Sequence, residues 1–170
     1  CGVEVRTGKA GKNLATFDLN ALRFNKIIIC TDADVDGFQI RTLILAMLYR
    51  LTPTLIEKGY VYIAETPLYE INTKTDTYFA YNESEKTKIL EEIDGQKYII
   101  QRSKGLGENE PEMMSLTTMH PDTRRLVKVN PTDVEETAHT FDVLLGDDLD
   151  GRKQIISERG AEYLDMLDLA

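Results

Sequence analysis

Cysteines, long apolar runs and basic residues are scarce in this sequence. Only Cys1 and Cys30 occur among 170 residues, which argues against a disulfide framework and fits a reducing cytoplasm. No stretch approaches the roughly 18 consecutive apolar residues of a membrane span, and the first residues do not read as a signal peptide. The apolar fraction of 42% and the charged fraction of 29% are typical of a soluble globular protein. We therefore expect a cytoplasmic protein without membrane contact.

The shortage of basic residues restricts the classes of partner. The chain has 20 Lys and Arg residues against 29 Asp and Glu residues, which gives a formal net charge of −9. A general nucleic-acid binder is usually basic, so the overall charge argues against DNA binding by the bulk surface. Any contact with DNA would need a local basic patch, a metal ion or a partner chain.

One dense acidic stretch stands out. Residues 26–41 read KIIICTDADVDGFQIR, in which an apolar run is followed by Asp32, Asp34 and Asp36 and then by Gly37. Three carboxylates at the end of a buried strand repel one another, and a divalent cation commonly offsets that repulsion. Mg²⁺ takes a few carboxylates and keeps waters for phosphate oxygens, and open α/β sheets keep their sites at the carboxyl ends of strands. The stretch therefore predicts a magnesium site.

Three alternative interpretations of these acids fit less well. The pattern D-x-D-x-D-G matches the start of a calcium-binding EF-hand loop, but the twelfth loop position is Leu43 instead of Glu, and a strand-like run precedes it. An aspartyl phosphotransferase of the haloacid dehalogenase type wants Thr or Val where this sequence has Asp36. A simple helix cap would account for Asp36, since carboxylates favour helix N-termini, but not for three acids.

Hydrophobic periodicity predicts a strand–helix–strand unit around the acidic stretch. Residues 26–31 are predicted to form a buried parallel strand, because residues 27–30 are a continuous apolar run. Apolar residues recur at helical spacing over 39–58, with a kink or restart expected at Pro53. Gly59 suits the end of that helix, and residues 60–64 read as a second strand. We therefore predict a βαβ unit and a parallel sheet.

Beyond this unit the chain is predicted to alternate short strands and helices. Residues 102–108 form a basic loop that contains two glycines. Strand signals, one of them a hairpin, lie at 68–81, 97–101 and 123–129. Helices are predicted at 83–93, 111–118, 132–145 and 148–158.

The acidic motif TDADVDG, residues 31–37, resembles that of the TOPRIM domain, which topoisomerases, bacterial primases and some nucleases share. Three later segments select among these classes, because each resembles a segment of the B subunit of bacterial type IIA DNA topoisomerases. They are YVYIAETPLY at 60–69, QRSKGLGE at 101–108 and TTMHPDTRRL at 117–126. The B subunits of DNA gyrase and topoisomerase IV share these motifs, and the sequence does not separate the two.

The resemblance implies an α/β fold with a Rossmann-like parallel sheet of the TOPRIM type, truncated at its amino-terminal end. It implies a small β-rich insertion and a helical C-terminal tail as well. In these terms residues 1–70 and 98–118 form the TOPRIM domain, residues 71–97 form the insertion, and residues 119–170 form a tail that packs on the A subunit.

The resemblance also implies a division of labour. The family cuts both strands of one DNA duplex, passes a second duplex through the break and reseals it, in an ATP-dependent reaction. The nucleophilic tyrosine lies in the A subunit of an A2B2 heterotetramer, and ATP is bound by B-subunit domains upstream of this chain. Carried onto this sequence, Asp32 and Asp34 are ligands of Mg²⁺, and Asp36 is a ligand through water or a supporting carboxylate. The implied contacts with double-stranded DNA are Lys104, Arg102, Arg124 and Arg125, which otherwise read as a solvated loop lysine and as arginines paired with acids.

Two departures from the family pattern limit what the chain can do. The family's catalytic glutamate lies in an E-G-D-S type motif upstream of the aspartates, and residues 1–31 contain no such motif. We therefore expect no catalytic residue in this chain and no DNA cleavage by the chain alone. Phe38 and Gln39 stand where the family has a small residue and then His, so no role is assigned to that His. Two other functions stay open, a non-catalytic DNA-binding module and a Mg²⁺-dependent nuclease or phosphatase.

Overall fold

The computed structural model describes residues 1–4, 16–103, 105–131 and 134–166. Within these residues, helices and short strands alternate along the chain, so the α/β class is confirmed. The strands are β1 (Ile27–Ile29), β2 (Val61–Ala64), β3 (Tyr69–Thr73), β4 (Thr77–Ala80), β5 (Tyr98–Arg102) and β6 (Leu126–Lys128). The helices are α1 (Val35–Leu51), α2 (Pro53–Glu57), α3 (Glu83–Glu92), α4 (Pro111–Met114), α5 (Val134–Leu145) and α6 (Leu149–Arg159). Tighter turns occupy Leu19–Ala21, Leu106–Glu108 and Gly160–Met166, and a π-helical turn over Ser115–Met119 extends α4.

Contacts divide the chain into two compact units. The sheet unit comprises Phe24–Ile44 and Tyr60–Lys128, and it contains both sheets and the acidic stretch. The helical unit comprises Cys1–Arg23, Leu45–Gly59 and Val129–Ala170. No helix in the described part of the chain is long and apolar enough to cross a membrane.

The first sheet of the sheet unit contains the predicted βαβ pair. Strands β1 and β2 are parallel neighbours, with Ile27 opposite Val61 and Ile29 opposite Ile63. The connection between them restarts where predicted, since α1 ends at Leu51 and α2 begins at Pro53, a first-turn position at which proline costs no hydrogen bond. The third strand, β6, is antiparallel to β2, so the sheet is mixed, with one parallel and one antiparallel pair.

The second sheet of the sheet unit is built around β3, which lies between β4 and β5 and is antiparallel to both. The predicted hairpin is therefore present. Its residues Ile71 and Ala80 are 0% exposed, and Ile93, at the carboxyl end of α3, is 2% exposed. Strand β5, which we assigned with 98–118 to the TOPRIM domain, hydrogen-bonds to the hairpin strand β3 and not to β1 or β2. The division of the chain into TOPRIM domain, insertion and C-terminal tail stays a prediction. In the structure, β5 belongs to the same sheet as the strands of the proposed insertion.

The helical unit is held by contacts between the later turns of α1 and helix α5. The rings of Tyr49 and Phe141 stack with centroids 5.2 Å apart, and Arg50 Nη2 lies 3.8 Å from Asp142 Oδ1. The predicted helices at 132–145 and 148–158 are confirmed as α5 and α6. Asp148 caps α6 by accepting from the Gly151 N–H at 2.9 Å. The sequence also predicts a glycine-containing loop over residues 1–16 and Thr132 or Asp133 as the cap of α5, but residues 5–15, 132 and 133 lie outside the described residues.

A candidate metal centre at the end of the first strand

The acidic residues follow β1 directly, at the carboxyl end of the parallel pair. Asp32 and Asp34 are half-buried in the turn between β1 and α1, while Asp36 is exposed in the first turn of α1. Asp34 Oδ1 accepts from the Gly37 N–H at 2.6 Å. Asp34 is therefore the cap of α1, the role that the sequence suggested for Asp36, and Asp36 adds its charge to the same favourable end of the helix.

Asp32 joins two motifs that lie far apart in the sequence. Its Oδ1 accepts from the N–H of Leu106 at 2.7 Å, across 74 residues of chain. A Cβ added at Gly105 would lie 3.6 Å from Asp32 Oδ2, so the backbone of the loop runs at ordinary contact distance from the carboxylate. The glycine-containing loop of residues 102–108 and the acidic stretch thus form one site.

Gly37 allows the start of α1 to lie against Asp32. A Cβ at this position would overlap the carbonyl oxygen of Asp32 and lie 2.8 Å from its carbonyl carbon, which is closer than real Cβ atoms approach backbone. Only glycine fits at position 37 without a shift of the main chain. The glycine is therefore explained by its close packing against Asp32 and not by an unusual φ angle.

The three aspartates are not gathered into one ready ligand set. Within the described part of the chain, no group of three or more His, Cys, Asp or Glu side chains is placed to hold a metal ion. Mg²⁺ is commonly bound by one or two carboxylates together with waters and substrate phosphates, and Asp32 with Asp34 offer oxygen ligands of that kind. The donor chemistry therefore fits Mg²⁺, and the participation of Asp32, Asp34 and Asp36 stays a prediction.

Arg41 lies near the same end of the sheet, although the sequence pattern does not mark it. Its Nη2 lies 3.5 Å from Thr31 Oγ1, and its guanidinium lies over the Phe38 ring at 5.1 Å. Burial lowers the pKa of Arg41, and the nearby Cys30 and Glu65 groups oppose that shift. The buried Nε–H has no acceptor among the residues that the structure describes. Arg41 has no signal in the sequence, because most positions around it in α1 are apolar and read only as a helical pattern.

Cys30 is the half-buried residue between β1 and this turn. Burial raises the pKa of its thiol, the charge of Asp32 raises it further, and the charge of Arg41 lowers it. A thiol of raised pKa stays protonated at neutral pH, so Cys30 is a half-buried neutral side chain at this position.

The four basic residues suggested for DNA contact lie in different surroundings. Lys104 lies outside the described residues. Arg102 is exposed at the end of β5 and is paired in register with Tyr69. Arg124 Nη1 donates to the Met119 carbonyl at 3.3 Å.

Arg125 is bound within the sheet unit. Its Nη1 lies 2.8 Å from Glu85 Oε1, and its guanidinium stacks over the Tyr81 ring at 3.9 Å. The hydrogen bond to Glu85 raises the pKa of Arg125. Partial burial alone would raise the pKa of Glu85, but the bonds from Arg125 and from the Tyr81 N–H leave it lowered. For Arg125, pairing with an acid is the arrangement that the structure shows.

Comparison with known proteins relates both motifs to DNA gyrase B subunits. The family model described as the Toprim domain matches residues 3–66, and the model described as the carboxyl terminus of the DNA gyrase B subunit matches residues 95–157. The chain is 43% identical to the DNA gyrase B subunit of Clostridium acetobutylicum over 161 residues, which is 94% of this chain.

The chain is similar to DNA gyrase B subunits over nearly its whole length. Two further gyrase B subunits agree with this, one from Thermotoga maritima at 44% identity over 90% of the chain and one from Thermus thermophilus at 43% over 95%. The resemblance to type IIA topoisomerase B subunits, inferred from the motifs, is confirmed. The aligned region spans about a quarter of these relatives, 25%, 24% and 25% of their respective lengths.

Proposed function

We propose that this chain provides the Mg²⁺-binding part of an ATP-dependent type II DNA topoisomerase, which cleaves both strands of a duplex, passes a second duplex through and rejoins the ends. Similarity to DNA gyrase B subunits supports the reaction class. The observation that carries the site is the bond from the Leu106 N–H to Asp32, because it brings the acidic motif and the glycine-containing loop together at the end of a parallel strand, where α/β sheets bind ligands.

In this proposal Asp32 and Asp34 hold the metal, and Asp36 assists through water. When bound, Mg²⁺ polarises the scissile phosphate and stabilises charge on the attacking and leaving oxygens. The chain's own residues prepare the site: Leu106 orients the Asp32 carboxylate, and Gly37 orients Asp34 by donating to it. Both donors are neutral backbone amides, so the carboxylates keep their negative charge available for a cation.

The DNA backbone would be held by basic residues of this unit. Phosphate contacts position a duplex without reading its sequence, which suits an enzyme that must cut and reseal at many places. We propose Lys104 and Arg102 as phosphate contacts, since both belong to the sequence segment 102–108, whose Leu106 donates to Asp32. Arg124 and Arg125 are proposed as further contacts.

The remaining groups of the reaction would come from outside this sequence. The nucleophilic tyrosine belongs to an A subunit in an A2B2 complex, and the catalytic glutamate and the ATP site belong to B-subunit segments beyond these residues. We propose that residues 119–170 pack on the A subunit and that the enzyme acts in the cytoplasm. Gyrase and topoisomerase IV activities are both compatible with this arrangement.

The test is DNA cleavage by the complete complex. Asp32→Asn and Asp34→Asn should each abolish Mg²⁺-dependent cleavage while binding of the A subunit persists. Asp94→Asn is the matched control, because this aspartate is exposed in the turn after α3 and lies outside the proposed metal centre and the proposed A-subunit surface. Retained cleavage in both test variants would refute the assignment of the ligands. A wild-type complex that binds DNA but never cuts it would favour the non-catalytic module, and cleavage without an A subunit would favour a nuclease.

A further inference from the structure

The backbone at the end of β1 is held by a hydrogen bond that the sheet does not supply. The ladder between β1 and β2 ends at Ile29 and Ile63. Two residues beyond it, the carbonyl of Thr31 accepts from the Thr66 hydroxyl at 3.2 Å. Thr31 is 7% exposed and Thr66 is 8% exposed. A buried carbonyl needs a partner, so the Thr66 side chain takes the place that a neighbouring strand would otherwise fill.

The side chain of Thr31 is contacted from a second direction. Arg41 Nη2, on α1, lies 3.5 Å from Thr31 Oγ1. Thr31 is therefore tied to the segment that follows β2 and to the helix that follows the acidic turn. The bond from Thr66 is the shorter of the two, and both of its residues are buried, so it should contribute more.

The carbonyl of Thr31 belongs to the peptide that links Thr31 to Asp32, and Asp32 has two further close contacts. Its carboxylate meets the Leu106 N–H, and its carbonyl lies against Gly37. A rotation of the Thr31–Asp32 peptide would move the carboxylate relative to both neighbours. We propose that Thr66 and Arg41 are positioning residues, which hold this peptide so that Asp32 can bind the metal. The inference rests on the proposed role of Asp32 as a Mg²⁺ ligand.

Removing the Thr66 hydroxyl tests this with little change of shape. In the full-length polypeptide, Thr66→Val should weaken Mn²⁺ binding, measured by electron paramagnetic resonance, by about tenfold or more, the usual effect of losing a group that orients a ligand. Thr66→Ser restores the hydroxyl and should restore the affinity. Thr52→Val is the matched control, because Thr52 is also 7% exposed and donates to the Leu48 carbonyl at 3.2 Å within the helical unit.

A second measurement reports on Asp32 without any metal. The Leu106 amide donates to Asp32 Oδ1, so its hydrogen exchange, followed by mass spectrometry, should quicken in Thr66→Val and stay unchanged in Thr52→Val. Arg41→Gln should show the same change more weakly, since its contact with Thr31 is longer.

Wild-type Mn²⁺ affinity in Thr66→Val would overturn the proposal, and so would an equal loss in Thr52→Val, since that would indicate general destabilisation. If instead Asp32→Asn leaves Mn²⁺ binding unchanged, the proposed function fails. The exchange rate at Leu106 then decides by itself whether Thr66 positions Asp32.

Discussion

The two sheets of the sheet unit hold their acidic residues in different ways. Beside the small sheet of β3, β4 and β5, Glu83 is bound by Lys86 and by the Tyr69 hydroxyl, and Glu85 is bound by Arg125. At the end of β1, Asp32 and Asp34 accept from backbone amides.

Paired charges and amide-bound charges have different uses. A carboxylate beside Lys or Arg is largely neutralised, and an exposed pair of this kind contributes only about 0.2–1 kcal/mol. A carboxylate that accepts from a neutral amide is oriented but keeps its charge. The small sheet therefore uses its acids for local stability, whereas the turn after β1 keeps its acids available for a cation. The following predictions test that contrast.

The largest effect is expected from Gly37→Ala. The added Cβ would overlap the carbonyl of Asp32, so the start of α1 must move and both amide bonds to the aspartates are disturbed. We expect unfolding to become easier by about 1–3 kcal/mol, as for other overpacked sites, together with loss of Mg²⁺-dependent cleavage.

Gly107→Ala is the control for stability, because a Cβ there would meet nothing within 4 Å. Thermal unfolding of both variants checks the prediction. Equal melting temperatures would show that the contact at Gly37 relaxes without consequence.

A moderate effect is expected from Lys104→Ala. Each phosphate contact contributes about 0.9 to the slope of log affinity against log salt, so the slope for duplex DNA should fall by about one. Arg125→Ala should change it less, because Arg125 is already bound to Glu85. Filter binding of the complex at several salt concentrations measures both, and an unchanged slope for Lys104→Ala would support a solvated loop residue.

The smallest effect is expected from Glu85→Gln. The variant loses the charge that pairs with Arg125, whose side chain is 45% exposed, so the free energy of unfolding should fall by only about 0.5 kcal/mol. Mn²⁺ affinity should not change, because the pair lies outside the metal centre. A large loss of Mn²⁺ affinity would contradict the distinction between acids paired with basic side chains and acids bound by backbone amides.

The same variant should reveal the pH dependence of the pair. The folded pKa of Glu85 is lowered, so its contribution is present above the unfolded value of about 4.3 and is lost as the pH falls through the folded value. Urea unfolding should therefore separate wild type from Glu85→Gln at pH 7 and bring them together once the pH has fallen below the folded pKa of Glu85. A difference that persists in acid would point to packing and not to charge.

Local features of this fold could be predicted because they depend on short spacings. Asp18 accepts from the N–H of Asn20 and Asp148 from that of Gly151, and such caps follow from residues two or three apart. The restart at Pro53 has the same character. The pairing of β5 with β3 could not be predicted, because a short apolar run identifies a strand but not its neighbour.

The candidate site also combines features that could be predicted from short spacings with features that could not. The spacing of Asp34 and Gly37 allowed a helix cap to be foreseen, although not which aspartate would form it. The bonds from Leu106 to Asp32 and from Thr66 to Thr31 span 74 and 35 residues. No periodicity marks either donor, since a backbone amide or a hydroxyl becomes specific only when folding presents it to one acceptor.

By itself the sequence determined the acidic stretch, the βαβ unit around it and the resemblance to type IIA topoisomerase B subunits, because each depends on residues close together in the chain or on motifs that can be matched directly. Only the tertiary structure decided how Asp32 is held. Its carboxylate accepts a hydrogen bond from the Leu106 N–H, far along the chain. The carbonyl of Thr31, which precedes it, accepts one from the buried hydroxyl of Thr66. Pairing of β1 with β2 brings Thr66 close to the end of β1. The segment of Leu106 follows a strand of the other sheet, so only the folded chain places it against Asp32.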